Sequence, residues 1–297
     1  MEKKPTARIY GLLGYPVKHS FSPAMHNAAF NACGINARYT LFEVKPEELE
    51  GFFKEGSSIR DIDGESFVLG DISGLNVTIP HKESVLKYLN WKSFEVRFTE
   101  AANVVIFKEN NFLRGFNTDG LGFHRHLTKD LRFSIKGKKV LIIGAGGAAK
   151  AVVSQLARKG AKSIIIYDVD KRKSTELAVK TQGKFENCMT SISESIEGLN
   201  IISADLLVNA SPVGMKESDP CLLTPDMVHK NLFVYDLIYN PPETKLLKLA
   251  IEKGCKRVSN GLGMLLYQGM LSFTHFTGKS APFKVMEQAL SGETKKL

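Results

Sequence analysis

Residues 139–168 read K-V-L-I-I-G-A-G-G-A-A-K-A-V-V-S-Q-L-A-R-K-G-A-K-S-I-I-I-Y-D. Val140-Leu141-Ile142-Ile143 is a continuous apolar run, as a parallel strand covered on both faces requires. Gly144-Ala145-Gly146-Gly147-Ala148-Ala149 follows and fits G-x-G-x-x-G/A. Gly144 suits a tight turn, Gly146 a close approach of pyrophosphate to the backbone, and small Ala149 close packing of helix on strand. A helix over about 148–159 would aim its first N–H groups at phosphates. Gly160 would end that helix, and 163–167 would form the next strand. Asp168 stands at its end, where a ribose 2′-hydroxyl would lie. Glycines alone would also fit a doubly wound domain that binds nothing. Strand, turn, helix, strand and acid in this order point to a bound dinucleotide. Well over a hundred residues precede the turn, enough for a separate domain.

The whole chain has 297 residues, room for two domains. Its 43% hydrophobic and 24% charged residues are those of an ordinary globular protein. Residues 1–8 are polar and basic, so no secretory leader is expected. The apolar stretch 140–157 is interrupted by glycines and Lys150, which makes it a buried strand and helix, not a membrane span. Cys33, Cys188, Cys221 and Cys255 lie far apart, with no histidines at metal-ligand spacing. Reduced thiols, a cytoplasmic setting and no metal site are the expectation. Lysine and arginine exceed aspartate and glutamate by 40 − 31 = 9. These charges are scattered without an aromatic-basic stripe, which argues against nucleic acid. A positive field suits small anionic substrates and a phosphate-bearing cofactor equally well.

Around the glycine turn the chain alternates strand and helix, and the expected class is α/β. Strands are expected at 7–13, 37–43, 74–77, and as an antiparallel pair at 102–107 and 111–117 joined around Glu109-Asn110. A helix is expected after Ser22-Pro23, with Ser22 as N-cap and Pro23 at its first position. Further helices are expected at 46–53, 82–89, 120–131, 171–181 and 244–253, and two more within 262–290. Strands near 206–208 and 233–236 would continue the second sheet. This divides the chain into an N-terminal α/β domain, 1–119, completed by C-terminal helices in 264–297. A Rossmann-type doubly wound domain would occupy 120–263.

Three stretches carry dense polar residues beside Gly or Pro, as strand-end loops around a ligand do: 14–23, 76–82 and 115–120. Six motifs stand in order along the chain: G-Y-P-V-x-H-S-x-S-P-x-M-H-N from Gly14, N-V-T-I-P-H-K from Asn76, F-N-T-D-G from Phe116, G-A-G-G-A-A-K-A from Gly144, D-L-I-Y-N-P from Asp236 and G-L-G-M-L-L-Y-Q from Gly261. In these the chain resembles the shikimate dehydrogenase family, including its quinate/shikimate members, over nearly its whole length.

The resemblance implies a soluble oxidoreductase, monomer or homodimer, that interconverts 3-dehydroshikimate and shikimate with NAD or NADP in a cleft between two domains. Ser20 and Ser22, helped by Tyr239, would hold the substrate carboxylate. Thr78, Asn103 and Gln268 would bind ring hydroxyls and the reacting oxygen, while Asn76 would hold its loop. Lys82 and Asp119 would carry the proton chemistry: an ammonium stabilises the negative charge that builds on oxygen and delivers the proton. Gly144, Ala145, Gly146, Gly147, Ala148, Asp168, Ser211 and Gly261 would bind the cofactor.

Three departures from the family pattern stand out. Val104 follows Asn103 where the family has threonine. Asn209-Ala210-Ser211 replaces N-A-T and keeps a hydroxyl. Asp168-Val169-Asp170 stands where NADP-dependent members carry an Asn-Arg-Ser/Thr run. An aspartate accepts from a free 2′-hydroxyl and repels a 2′-phosphate, so NAD is the expected cofactor. Against it, Lys171, Arg172 and Lys173 lie close by. NAD use also brings quinate into view, although the Ser20/Ser22 pair favours shikimate. A non-catalytic ligand sensor on the same fold would lack Lys82 or Asp119, and this chain has both.

Overall fold

In a computed structural model that describes residues 7–295, the chain divides into two compact units. One comprises the residues through Thr118 together with those from Gln268 onward, and the other is Asp119–Tyr267. Among the described residues no helix is long and apolar enough to cross a membrane.

The first unit runs β1 (Arg8–Gly14), α1 (Ser22–Ala32), β2 (Ala37–Glu43), α2 (Leu49–Phe53), β3 (Ser58–Arg60), β4 (Ser66–Val68), β5 (Ile72–Val77), α3 (His81–Ser84), β6 (Trp91–Lys92), α4 (Phe94–Thr99), β7 (Val104–Lys108) and β8 (Phe112–Phe116). Its main sheet has the order β2-β1-β5-β7-β8-β6. The three strands β2, β1 and β5 are parallel, as their helical crossovers require, whereas β5–β7 and β7–β8 are antiparallel. Leu13, Phe42, Leu75, Val77 and Val105 are buried in one apolar cluster beneath this sheet. Asn110 and Asn111, both at positive φ, turn β7 into β8, a conformation that asparagine tolerates better than most residues.

The second unit runs α5 (Asp119–Arg125), β9 (Lys139–Ile143), α6 (Gly147–Arg158), β10 (Ser163–Tyr167), α7 (Lys171–Lys184), β11 (Met189–Ile192), β12 (Leu206–Asn209), β13 (Phe233–Asp236), α8 (Lys245–Glu252), β14 (Arg257–Ser259) and the start of α9 (Leu262–Thr277). The rest of α9 and α10 (Phe283–Thr294) belong to the first unit, where α10 packs on α1. The sheet order is β11-β10-β9-β12-β13-β14 with every pairing parallel. That is the 3-2-1-4-5-6 order of a Rossmann fold, whose ligand crevice opens at the carboxyl ends of the central strands. Leu141, Ile143, Leu207 and Val234 fill the core on one side of it.

Local details differ from the sequence reading. Ser22 is the first residue of α1, not its N-cap; Phe21 holds that position and offers no side-chain cap. Instead the Ser20 hydroxyl accepts the Ser22 N–H at 3.2 Å. The single helix expected at 82–89 is the four-residue α3 followed by a 3-10 turn over Val85–Tyr88. The helix expected at 120–131 changes to π geometry over His126–Asp130 after α5 ends.

Candidate active site

At the carboxyl end of β9 the backbone takes the shape that a pyrophosphate needs. Gly144 sits at φ +108°, and a Cβ there would lie 2.8 Å from the Ala210 backbone, so only glycine fits. Gly146 is the N-cap of α6 and is exposed. A Cβ on it would meet no protein atom within 4 Å. Open space in front of a twelve-residue helix N-terminus is what an anion requires. Ala149 is fully buried against the sheet. These residues fit a dinucleotide.

The Asp168 carboxylate ties this turn to the end of β10. One oxygen accepts the Ala145 N–H at 2.6 Å and the other the Asp170 N–H at 2.8 Å. Asp170 in turn caps α7 through the Arg172 N–H. Val169 between them is 92% exposed. Lys171 pairs with Glu194, and Arg172 lies 3.7 Å from Asp170.

A second loop, after β12, is held by Asn209. Its Oδ1 accepts from the Ser211 N–H and hydroxyl at 3.0 and 2.7 Å, and its Nδ2 donates to Asp236 at 3.0 Å. Asp236 also receives the Thr244 hydroxyl and the Ile238 N–H. Burial nevertheless pushes its carboxyl up to about 6. Gly261 is fixed by contact: a Cβ there would lie 2.0 Å from the Leu237 carbonyl oxygen. The D-L-I-Y-N-P and G-L-G motifs therefore meet in space.

In the first unit the strand ends carry a buried polar knot. Asn103 accepts the Thr118 N–H at 2.8 Å and donates to the Thr118 hydroxyl at 2.9 Å. It also donates to the Gln268 side chain at 3.4 Å. Thr118 and Ser272 hydroxyls both donate to the Gln268 carbonyl. Asn76 holds the loop, donating to the Asn103 carbonyl and the Ser272 hydroxyl. Val104 is fully buried in β7, so a hydroxyl there would need a partner that valine does not.

Lys82 lies on α3, half-buried, and its carbonyl accepts the Ala102 N–H at 2.8 Å. Thr78 is half-buried; Gly14 leaves room for it, since a Cβ on Gly14 would lie 2.3 Å from its methyl. Asp119 opens α5 in the second unit and is 5% exposed. Gly120 beside it allows α5 to touch α6: its Cβ would lie 2.4 Å from the Ala151 carbonyl. Tyr239 is half-buried in the same unit, and burial raises its phenol above the ordinary value. Within the first unit, then, Asn103 meets Gln268 and Ser20 meets Ser22. Tyr39, Thr118 and Ser272 join the knot without having been singled out. Thr118 stood inside F-N-T-D-G, whereas Tyr39 and Ser272 had no local signal.

Comparison with known proteins identifies the family. The family description "Shikimate dehydrogenase substrate binding domain" matches residues 12–105, "Shikimate / quinate 5-dehydrogenase" residues 126–212, and "Shikimate 5'-dehydrogenase C-terminal domain" residues 261–290. A protein of Methanopyrus kandleri named shikimate dehydrogenase (NADP(+)) is 43% identical over 287 residues, covering 95% of this chain and 94% of its own. A crystal structure of shikimate 5-dehydrogenase from Listeria monocytogenes with shikimate and NAD is 34% identical, with a TM-score of 0.83 and 98% of both chains covered. Quinate dehydrogenase from Corynebacterium glutamicum with NAD is 27% identical, with a TM-score of 0.81, covering 97% of this chain and all of its own. With six motifs in order, family models matched along the chain and near-complete coverage by such relatives, the chain belongs to the shikimate dehydrogenase family.

Proposed function

We propose that this protein interconverts shikimate and 3-dehydroshikimate with a nicotinamide dinucleotide. The observation that carries this reading is the partly buried contact of two amides 165 residues apart, Asn103 and Gln268. They lie beside the strand start whose Ala102 N–H fixes the Lys82 backbone. Neutral amides offer both donors and acceptors, which is what vicinal ring hydroxyls require. Ser20 and Ser22 supply hydroxyls for the carboxylate, aided by Tyr239, and Thr78 a further hydroxyl for the ring.

When bound, the nicotinamide supplies or accepts the hydride. Lys82 and Asp119 carry the proton chemistry. In reduction the Lys82 ammonium stabilises the charge that builds on the ketone oxygen and gives it a proton; in oxidation the neutral amine takes the alcohol proton. The glycine turn 144–148 receives the pyrophosphate on backbone N–H groups. Ser211 and Gly261 shape the two loops that face the carboxyl ends of β12 and β13.

We read the cofactor as NAD. Asp168 places a carboxylate at the end of β10, Val169 carries no charge, and Lys171 and Arg172 already have acidic partners. The NADP(+) in the names of relatives sets the alternative, in which Lys171, Arg172 or Lys173 turns to a 2′-phosphate. The quinate dehydrogenase relative holds NAD, which makes quinate the second candidate substrate.

Initial rates of nicotinamide reduction with shikimate or quinate, each offered NAD⁺ and NADP⁺, test these readings together. Shikimate with NAD⁺ is expected to give the highest kcat/KM. Preference for NADP⁺ would overturn the cofactor reading alone, and preference for quinate the substrate reading alone. No turnover of either by folded protein would overturn the enzymatic reading and favour a ligand sensor.

A further inference from the structure

Phe112-Leu113-Arg114-Gly115-Phe116 forms β8 and carries no residue of the function above. Its positions alternate: Leu113 and Gly115 are buried against the apolar cluster, and Phe112, Arg114 and Phe116 take the other face of the sheet. Trp91, on the terminal strand β6, is in register with Arg114. The Arg114 Cζ lies over two rings, 4.5 Å from the Trp91 centroid and 5.3 Å from the Phe116 centroid. Phe116 is also stacked on His275 of α9, with centroids 4.1 Å apart. Trp91 and Phe112 remain 38% and 43% exposed.

An arginine packed on rings has its flat faces covered and its edge of N–H donors open. Among the described residues no carboxylate or carbonyl accepts from the Arg114 guanidinium. Burial, then the Arg114 charge, lowers the His275 imidazole below its ordinary value, against Glu95, which raises it. Near pH 7 that ring is neutral, and Arg114 is the cation of the cluster. Its fork is fixed before any ligand arrives, and a planar oxyanion meets such a fork through two parallel hydrogen bonds.

We propose that Arg114, Trp91 and Phe112 form a second ligand site, one that takes an aromatic carboxylate. The carboxylate sits on the open edge of Arg114, and the ring lies on the exposed surface of Trp91 and Phe112. This site is separate from the substrate side: Arg114 precedes Thr118 by four residues, roughly 13 Å of extended chain. A single cation suits a small monoanion better than a nucleic acid. Lys92 and Lys108 flank the cluster, but Glu95 and Glu109 follow them within three positions of the chain. No positive groove therefore tracks a phosphate backbone here.

Trp91 is the single tryptophan, so its emission reports on this site directly. The test titrates the full chain with benzoate, benzamide and acetate at constant ionic strength. Benzoate is expected to change the emission saturably, with a Kd in about the millimolar range. Benzamide lacks the charge and acetate the ring, and each is expected to bind about tenfold more weakly or worse. In Arg114→Gln the Kd for benzoate is expected to rise about tenfold or more. Arg114→Lys keeps the charge and loses the fork, and is expected to recover only part of that loss. Saturating shikimate is expected to leave the benzoate response in place.

The absence of a saturable response to benzoate overturns the proposal, as does an equal response to acetate or to benzamide. An unaltered Kd in folded Arg114→Gln does the same. So does a benzoate response that saturating shikimate abolishes, because the ligand would then occupy the substrate site. Tighter binding of oligothymidylate than of benzoate would assign the platform to nucleic acid and also overturn it. If Arg114→Gln does not fold, the three small probes on wild type decide the matter. Wild type that neither binds nor turns over shikimate would overturn the functional reading, a result separate from the benzoate titration.

Discussion

His26 is buried without a partner for its Nδ1, and burial brings its imidazole down to about 3. The unfolded chain takes up that proton near pH 6.5, whereas the folded chain does not until about pH 3. Stability from this group is complete above pH 6.5 and falls as pH drops through that window, by about 1.4 kcal/mol per unit. His26→Phe, which keeps a ring against Tyr39, is expected to remove this slope. Urea unfolding at pH 7 and pH 5, followed by the fluorescence of Trp91, checks it. Trp91 is the one tryptophan and lies in the same unit. Wild type should lose about 2 kcal/mol more than the variant between the two pH values. Val169 is the other residue whose identity makes a measurable claim. At 92% exposed it can be replaced without disturbing the core. Val169→Arg is expected to raise kcat/KM for NADP⁺ by about tenfold or more, because an arginine fork there meets a 2′-phosphate. No gain in steady-state kinetics would remove this position from the cofactor site.

Among elements, those with a strong local pattern were legible. The strand at 163–167 was read at its observed bounds, and α6 and α7 were recognised, α7 extending to Lys184. Elements held by distant partners were not. β3, β4, β6 and β14 have two or three residues each, too short for a period to show. The β3–β4 hairpin depends on Asp61, whose side chain is fully buried. Asp61 accepts from Arg38, from Thr40 and from the N–H groups of Asp63 and Glu65. No local rule links those positions. Asp61→Ala would leave a guanidinium and two backbone donors short of partners and is expected to cost about 3 kcal/mol, read as a lowered urea midpoint. The π turn at His126–Asp130 was equally hidden. His126 shares a hydrogen bond with the Tyr235 hydroxyl at 2.7 Å, and Asp130 accepts the Tyr267 hydroxyl at 2.7 Å. A cap read from Ser22-Pro23 failed because α1 starts one residue earlier: Ser22 is already helical and Phe21 takes the capping position.

At the scale of the molecule, two α/β units with different sheets divide the work that a dehydrogenase needs. The parallel sheet and its glycine turn were legible because a dinucleotide fold places turn, helix and acid within thirty consecutive residues. The polar knot of the first unit had no local signal, since Asn103, Thr118 and Gln268 come together from three separate segments. Periodicity cannot bring such residues together; folding of the first unit does. The proton chemistry remains the central claim, and Lys82 is the residue on which it rests. Turnover of shikimate by Lys82→Ala, measured beside calorimetric binding of shikimate to the same variant, tests it most directly. The account predicts that kcat falls about a hundredfold or more while the Kd for shikimate stays within roughly threefold of wild type. Undiminished kcat would contradict it.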